Sequence, residues 1–152
     1  MYKRILLTLD GSLLAEQAIP HAVAHADHFE AELILVKVLE PLAKNLSLPH
    51  RAVKKAEKAT RKLAHEYLER LAVDIRNKGI SARAVTISGS PHAEIAQFAE
   101  RENIDLIVIC SRGQSGLSRW LMGSVADRVA RGVSVPVLLV RARKEEKHQV
   151  PA

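Results

Sequence analysis

Residues 105–124 read DLIVICSRGQSGLSRWLMGS, and the parsing of this stretch decides the fold. Leu106, Ile107, Val108 and Ile109 form an apolar run without polar alternation, which marks a strand buried on both faces. A loop carrying Gly113 and Gly116 follows, and Gly123-Ser124 then opens a segment over residues 125–131 that reads as a helix. Strand, glycine-bearing loop and helix start are the parts of an anion site. Glycine lets backbone come close to a ligand, and the first N–H groups of a helix have no partner inside it. The reading is a site that holds the phosphates of a nucleotide.

The rest of the chain repeats the strand-then-helix pattern. Residues 3–9 (KRILLTL), 32–39 (ELILVKVL), 81–87 and 135–140 (VPVLLV) are further apolar strands. Asp10-Gly11-Ser12 breaks the first strand, and Ser12 is a candidate cap for a helix over 13–29. Pro20 inside that helix is expected to kink or shift it. Ala15, Ala18, Ala22, Ala26 and Phe29 keep helical spacing and are expected to face the sheet. The stretch 40–50 (EPLAKNLSLPH) holds two prolines and no period, so it reads as a mobile connection. The longest helix is expected over 51–77, with one apolar stripe of Ala52, Ala56, Ala59, Leu63, Tyr67, Leu71 and Ile75 and with Gly79 at its end. Ser88-Gly89-Ser90-Pro91 turns into a helix reaching Glu102. Apolar strands alternating with helices predict a single α/β domain: an open five-stranded parallel sheet with helices on both faces. Residues 1–141 form this domain, and 142–152 form a charged tail expected to fray. Pro136 cannot donate to a ladder, so the strand from Val135 to Val140 suits an edge. A second copy of the chain is the simplest cover for that apolar edge; the tail is the alternative.

Composition narrows the function. The chain has 152 residues, 47% of them apolar, with a mean hydropathy of -0.03. It carries 23 Lys/Arg against 17 Asp/Glu, a net charge of +6. The excess is local: residues 51–78 hold nine Lys/Arg against four Asp/Glu. Only 3% of residues are aromatic, which argues against a base-stacking platform and against nucleic acid as partner. No apolar run approaches a membrane span, and the N-terminal MYKRILLTLD does not read as a signal peptide. A single cysteine, Cys110, rules out an internal disulfide and suits a reducing cytoplasm.

Over essentially its whole length the chain resembles the universal stress protein family. Nucleotide-binding members show Gly, two residues, Gly, nine residues, then Gly-Ser or Gly-Thr. Here the pattern falls on Cys110, Gly113, Gly123 and Ser124, with Gly116 demoted to the spacer. The first strand ending in Asp10, the second ending in VKVLE and the SGSPHAEIA segment at Ser88 are also similar to the family's. The resemblance implies a Rossmann-like sheet of order 3-2-1-4-5, which places the ends of strands one and four at the switch point where ligands bind. It also implies ATP or AMP as ligand, with Mg²⁺ bound through the phosphates, and a homodimeric stress-response regulator rather than a dedicated catalyst. By position, Asp10 falls in the ribose region, and Val38 lines the adenine pocket with Thr8 and Leu9. Ile109 sits at the mouth, and Gly113, Gly123, Ser124 and Val125 hold phosphates. Cys110 departs from the pattern's first glycine, and a side chain there is costly if the backbone needs a positive φ or touches ligand.

Blander readings stand beside these. Gly113, Gly123 and Ser124 also fit a turn with a helix cap. Asp10 fits a strand-end turn carboxylate, and Cys110 an inert buried thiol. Arg112 and Arg119 are candidate phosphate partners or solvated surface arginines. His21, His25 and His28 share a helix flank without a carboxylate or cysteine to complete a metal site. Catalysis finds little support: no phosphate loop ending in Lys-Ser/Thr, no paired carboxylates, and Asp105 at the wrong end of its strand. Two alternatives to a nucleotide-binding regulator remain, a ligand-free dimeric interaction module and a slow Mg²⁺-dependent ATP hydrolase.

Overall fold

The structure, a computed structural model, describes residues 1–42, 47–112 and 122–143. The elements run β1 (Arg4–Thr8), α1 (Leu13–Glu16), α2 (Ile19–Phe29), β2 (Glu32–Leu39), α3 (His50–Arg76), β3 (Ala82–Ser88), α4 (Pro91–Arg101), β4 (Leu106–Cys110), α5 (Ser124–Gly132) and β5 (Val137–Val140). All strand pairs are parallel and the sheet order is β3-β2-β1-β4-β5. The expected α/β class, strand order and edge position of the last strand are therefore observed. Pro136 lies just before β5, where its carbonyl accepts from the Ile107 N–H at 3.0 Å.

Unbroken apolar strands demand cover on both faces, and the core divides accordingly. Ile5, Leu7, Leu33, Leu35 and Val108 pack on one face with the buried residues of α1, α2 and α3. Leu6, Ile34, Val36, Ile107 and Ile109 point the other way, to Ile95, Phe98, Ala126 and Val129 of α4 and α5. Burying each large side chain contributes about 1.5–3 kcal/mol. The alternation of strand residues fixes the register, since a one-residue slip would exchange the two cores.

Two helices differ from expectation. The segment 13–29 is broken into α1 and α2 at Gln17 and Ala18, because Pro20 lacks an N–H and sits in the first turn of a new helix. The alanine line survives the break: Ala15, Ala18, Ala22 and Ala26 are all buried. In α3 the buried line is Ala64, Leu68, Ala72 and Ile75, and of the expected stripe only Ile75 is on it. Tyr67 and Leu71 pack on its flank, while Ala52, Ala56, Ala59 and Leu63 are exposed. The reason is length. At 1.5 Å per residue the 27-residue helix spans roughly 40 Å, against roughly 26 Å for the longest strand, β2, with 8 residues. The first half of α3 therefore overhangs the sheet, and no residue before Ala64 in it is buried. The helix ends at Arg76 with Asn77 as cap, and Gly79, at φ +85°, sits two residues further on.

Candidate functional site

The chain winds outward from β1 through β2 to β3, then returns to β4 beside β1. This reversal leaves a crevice at the C-terminal ends of β1 and β4. A cavity of about 510 Å³ occupies that place, within the size range of small-molecule sites. It brings together Thr8, Leu9, Asp10, Val38, Ile109, Cys110, Gly123, Ser124 and Val125, nine of the ten residues singled out from sequence. The tenth, Gly113, lies outside the described residues, as do Gly116 and Arg119. Arg112, half-buried, also lines the cavity.

Two walls differ in chemistry. Val38 and Val125 pack against the core on the α4/α5 face, together with Ile109, Ile95 and Ala126. These residues and Pro91 make an apolar wall suited to a flat ring. Val125 and Ala126 also belong to the start of α5, so the polar wall, the helix's first N–H groups, adjoins the apolar one. The α5 cap, Gly123, supplies no side-chain hydrogen bond, and the helix's first turn closes with the Asp127 N–H donating to the Gly123 carbonyl at 3.0 Å. The N–H groups of Ser124, Val125 and Ala126 thus have no acceptor within the helix, and they carry the positive end of its dipole.

Gly123 has a steric reason of its own. Its N–H donates to the Ser111 carbonyl at 2.6 Å, and a Cβ on it would lie 2.9 Å from that oxygen. Its φ is -57°, so no left-handed backbone is involved. The glycine lets the start of α5 close onto the end of β4. Ser111 is buried and its hydroxyl accepts from the Ala142 N–H at 3.2 Å, which ties the end of β5 to the same point.

Cys110 is the last residue of β4, and its φ is not positive. Its Sγ lies 3.1 Å from the Leu14 carbonyl oxygen, on the α1 side of the sheet. Burial pushes the thiol pKa up, with the backbone N–H groups of Arg112 and Ser111 acting against it. The thiol is thus protonated at neutral pH. A side chain in place of the pattern's first glycine is accommodated here because it packs into the core.

Asp10 does serve a turn: its Oδ1 accepts from the Ser12 N–H at 2.8 Å, while Ser12 Oγ accepts from Ala15 N–H at 3.1 Å and caps α1. Behind it, Tyr67 is pushed up to about 12 by burial, then by the charge of the neighbouring Glu16 carboxylate and its hydrogen-bonding approach to the hydroxyl, and after that by Asp10. Its hydroxyl is buried with no hydrogen-bond partner of good geometry among the described residues. Lys37 Nζ stands 5.7 Å from the Tyr67 ring centre and at the same time lines the cavity.

The cavity also includes Ala15, Val36, Leu39, Glu40, Pro91, Ile95, Ser111 and Ala126, which sequence reasoning did not assign to it. Pro91 and Ile95 stand one helical turn apart at the start of α4, directly after the SGSP turn, and that spacing was the available signal. Asp105 is at the far end of the sheet, where its Oδ2 accepts from the Lys3 and Arg4 N–H groups at 2.8 and 2.9 Å. The helix histidines are engaged locally: His25 Nδ1 is 2.8 Å from the His21 carbonyl, and the His28 ring meets Phe29 edge-on. Among the described residues no three His, Cys, Asp or Glu side chains gather as a metal site, and no helix is long and apolar enough to cross a membrane.

An open parallel sheet with a cleft at its switch point and a helix start in the cleft wall defines a Rossmann-like α/β protein. Comparison with known proteins gives the family. The universal stress protein family model matches residues 1–141, and the chain belongs to that family. Universal stress protein MJ0531 of Methanocaldococcus jannaschii is 32% identical over 147 residues, covering 96% of this chain and 86% of that one. The solved structure of MJ0577, from the same organism, superposes with a TM-score of 0.84 at 29% identity, covering 96% and 99% of the two chains. A universal stress protein in complex with cAMP shares the fold, at a TM-score of 0.66 and 23% identity over 93% of this chain and 98% of that one.

Proposed function

We propose that this protein binds an adenine nucleotide, ATP or AMP, in the cleft between β1 and β4 and acts as a dimeric regulator of stress response in the cytoplasm. The observation that carries this reading is the pairing of an apolar slot with an uncapped helix start in one cavity. Val38, Ile109, Ile95 and Pro91 suit the adenine ring. The N–H groups of Ser124, Val125 and Ala126, the Ser124 hydroxyl and Gly113 take the phosphates, with Mg²⁺ carried on them. Asp10 and Thr8 lie toward the ribose. A same-fold universal stress protein is known with cAMP; for this chain the support is the chemistry of its own cleft. Regulation follows if nucleotide favours one arrangement of the segment after β4 over another. The dimer forms through β5 and the residues from Val135 to Val140, whose Val137, Leu138 and Leu139 are only partly buried in the single chain.

The purified protein is to be denatured and its released small molecules identified, followed by calorimetric titration with ATP and AMP in the presence of Mg²⁺. An adenine nucleotide released, or saturable binding below millimolar concentration, is expected. Neither one would leave the ligand-free interaction module as the better account. Turnover of ATP lost in Ser124→Ala without loss of fold would instead favour the slow hydrolase.

A further inference from the structure

The overhanging half of α3 carries Arg51, Lys54, Lys55, Lys58, Arg61 and Lys62. At 100° per residue these six fall within one arc of about 120°, and no acidic residue of that half shares it. Such an arc costs free energy through self-repulsion, and it sits near the positive end of the helix dipole with no acidic residue in the first turn. One edge of the arc borders a groove of about 460 Å³ between α3 and residues 39–42. Lys54, Lys58 and Arg61 line it on the helix side, one turn apart, against Leu39, Pro41 and Leu42. Arg61 is anchored at the rim by donating to the Ser88 hydroxyl and, at 3.5 Å, to the Thr86 carbonyl. Lys54 and Lys58 form no ion pair among the described residues. Glu40 and Glu57 also line the groove. By helical angle Glu57 falls outside the cationic arc, on the side of the buried line Ala64, Leu68, Ala72 and Ile75.

We propose that this groove docks an acidic segment of another protein, with apolar side chains between its carboxylates. Charge complementarity selects the sign of the partner, and the apolar wall selects its kind. A flat anionic bilayer meets the cations but cannot enter the groove to reach Leu39 and Leu42. Duplex nucleic acid is too wide to enter, and single strands would need stacking rings the groove lacks. A second copy of the chain would bring the same six cations against themselves. Residues 144–152 carry two Lys and two Glu, so they offer no charge complement. The proposal does not depend on nucleotide binding, although Leu39 and Glu40 belong to both cavities.

The test uses fluorescence anisotropy on the full chain. The probes are a labelled short peptide of mixed Glu and Leu, its Lys-for-Glu counterpart, a labelled DNA duplex and single strand, and phosphatidylserine vesicles. Saturable binding of the acidic peptide alone is expected, weakened about tenfold by the double variant Lys54→Glu, Lys58→Glu. Leu42→Ser should weaken it also, while Lys78→Glu, just past the far end of α3, should not. Melting curves check the fold, and Lys54→Gln with Lys58→Gln replaces the reversal if it unfolds the chain. No saturable peptide binding, equal loss in Lys78→Glu, indifference to Leu42→Ser, or preference for DNA or vesicles would each overturn the proposal.

Discussion

The two ends of the sheet are built on opposite rules. At the N-terminal ends of the strands the chain satisfies its own polar groups. Asp105 accepts from two backbone N–H groups of β1's approach, and Arg83 bridges Glu32 and Glu102 at 2.9 and 3.0 Å. Arg4 donates to the Glu102 carbonyl at 2.7 Å. At the C-terminal ends, among the described residues, no side chain of the cap residue closes the start of α5, apolar residues face a cavity, and the Tyr67 hydroxyl has no hydrogen bond of good geometry. One end is closed by intramolecular bonds and contributes stability; the other keeps donors available. In a fold where buried polar groups are normally paired, the unpaired end is where an outside partner belongs.

Four substitutions sharpen that contrast. Gly123→Val should have the largest effect. It forces side-chain atoms toward the Ser111 carbonyl and pushes α5 off β4, at about 1–3 kcal/mol of stability and with nucleotide affinity falling by roughly tenfold or more. Melting and titration on the same sample would show it; unchanged affinity would detach Gly123 from the site. Asp105→Ala should cost about 1–2 kcal/mol by leaving two N–H groups without their acceptor, yet leave nucleotide affinity as it was. A matched loss of affinity would mean that the two ends are not separate.

Cys110→Gly restores the family glycine. It should lower stability by about 1 kcal/mol, through a lost core side chain and a looser strand, without a gain in affinity, because the thiol faces Leu14. Tighter nucleotide binding in this variant would show that the cysteine does disturb the site. Tyr67→Phe should be the mildest, within about 1 kcal/mol at neutral pH, since the hydroxyl it removes makes no hydrogen bond of good geometry among the described residues. Its signature is alkaline. With the folded value raised from near 10 to about 12, the unfolded chain loses the proton first, so stability is constant below pH 10 and falls between pH 10 and 12. Denaturant titrations across that window should show a smaller fall in Tyr67→Phe; parallel curves would contradict the assignment.

Much of this was legible in the residues. Apolar strands alternating with helical segments gave the parallel sheet, and Pro20 announced the break between α1 and α2. The strand order came from family resemblance, because no local pattern states which strand lies beside which. The site was legible where the glycine spacing marks it and silent where long-range packing makes it. Pro91 and Ile95 carry only a one-turn spacing that most helices share, and it gains meaning once α4 is laid beside β2. The reason for Gly123 was hidden as well: the sequence suggests a close approach to ligand, whereas the observed approach is to Ser111. Helical period alone misplaced the buried face of α3, since it cannot tell where the sheet beneath the helix stops.

The most direct test of a ligand-receiving end is an amide NMR titration of the ¹⁵N-labelled protein with ATP and Mg²⁺. Saturating shifts are expected at Gly123, Ser124, Val125 and Ala126, with Thr8, Val38 and Ile95, while Lys3, Arg4 and Asp105 stay in place. No saturating shift at millimolar ATP, or shifts gathered at the Asp105 end or along α3 instead, would contradict the account.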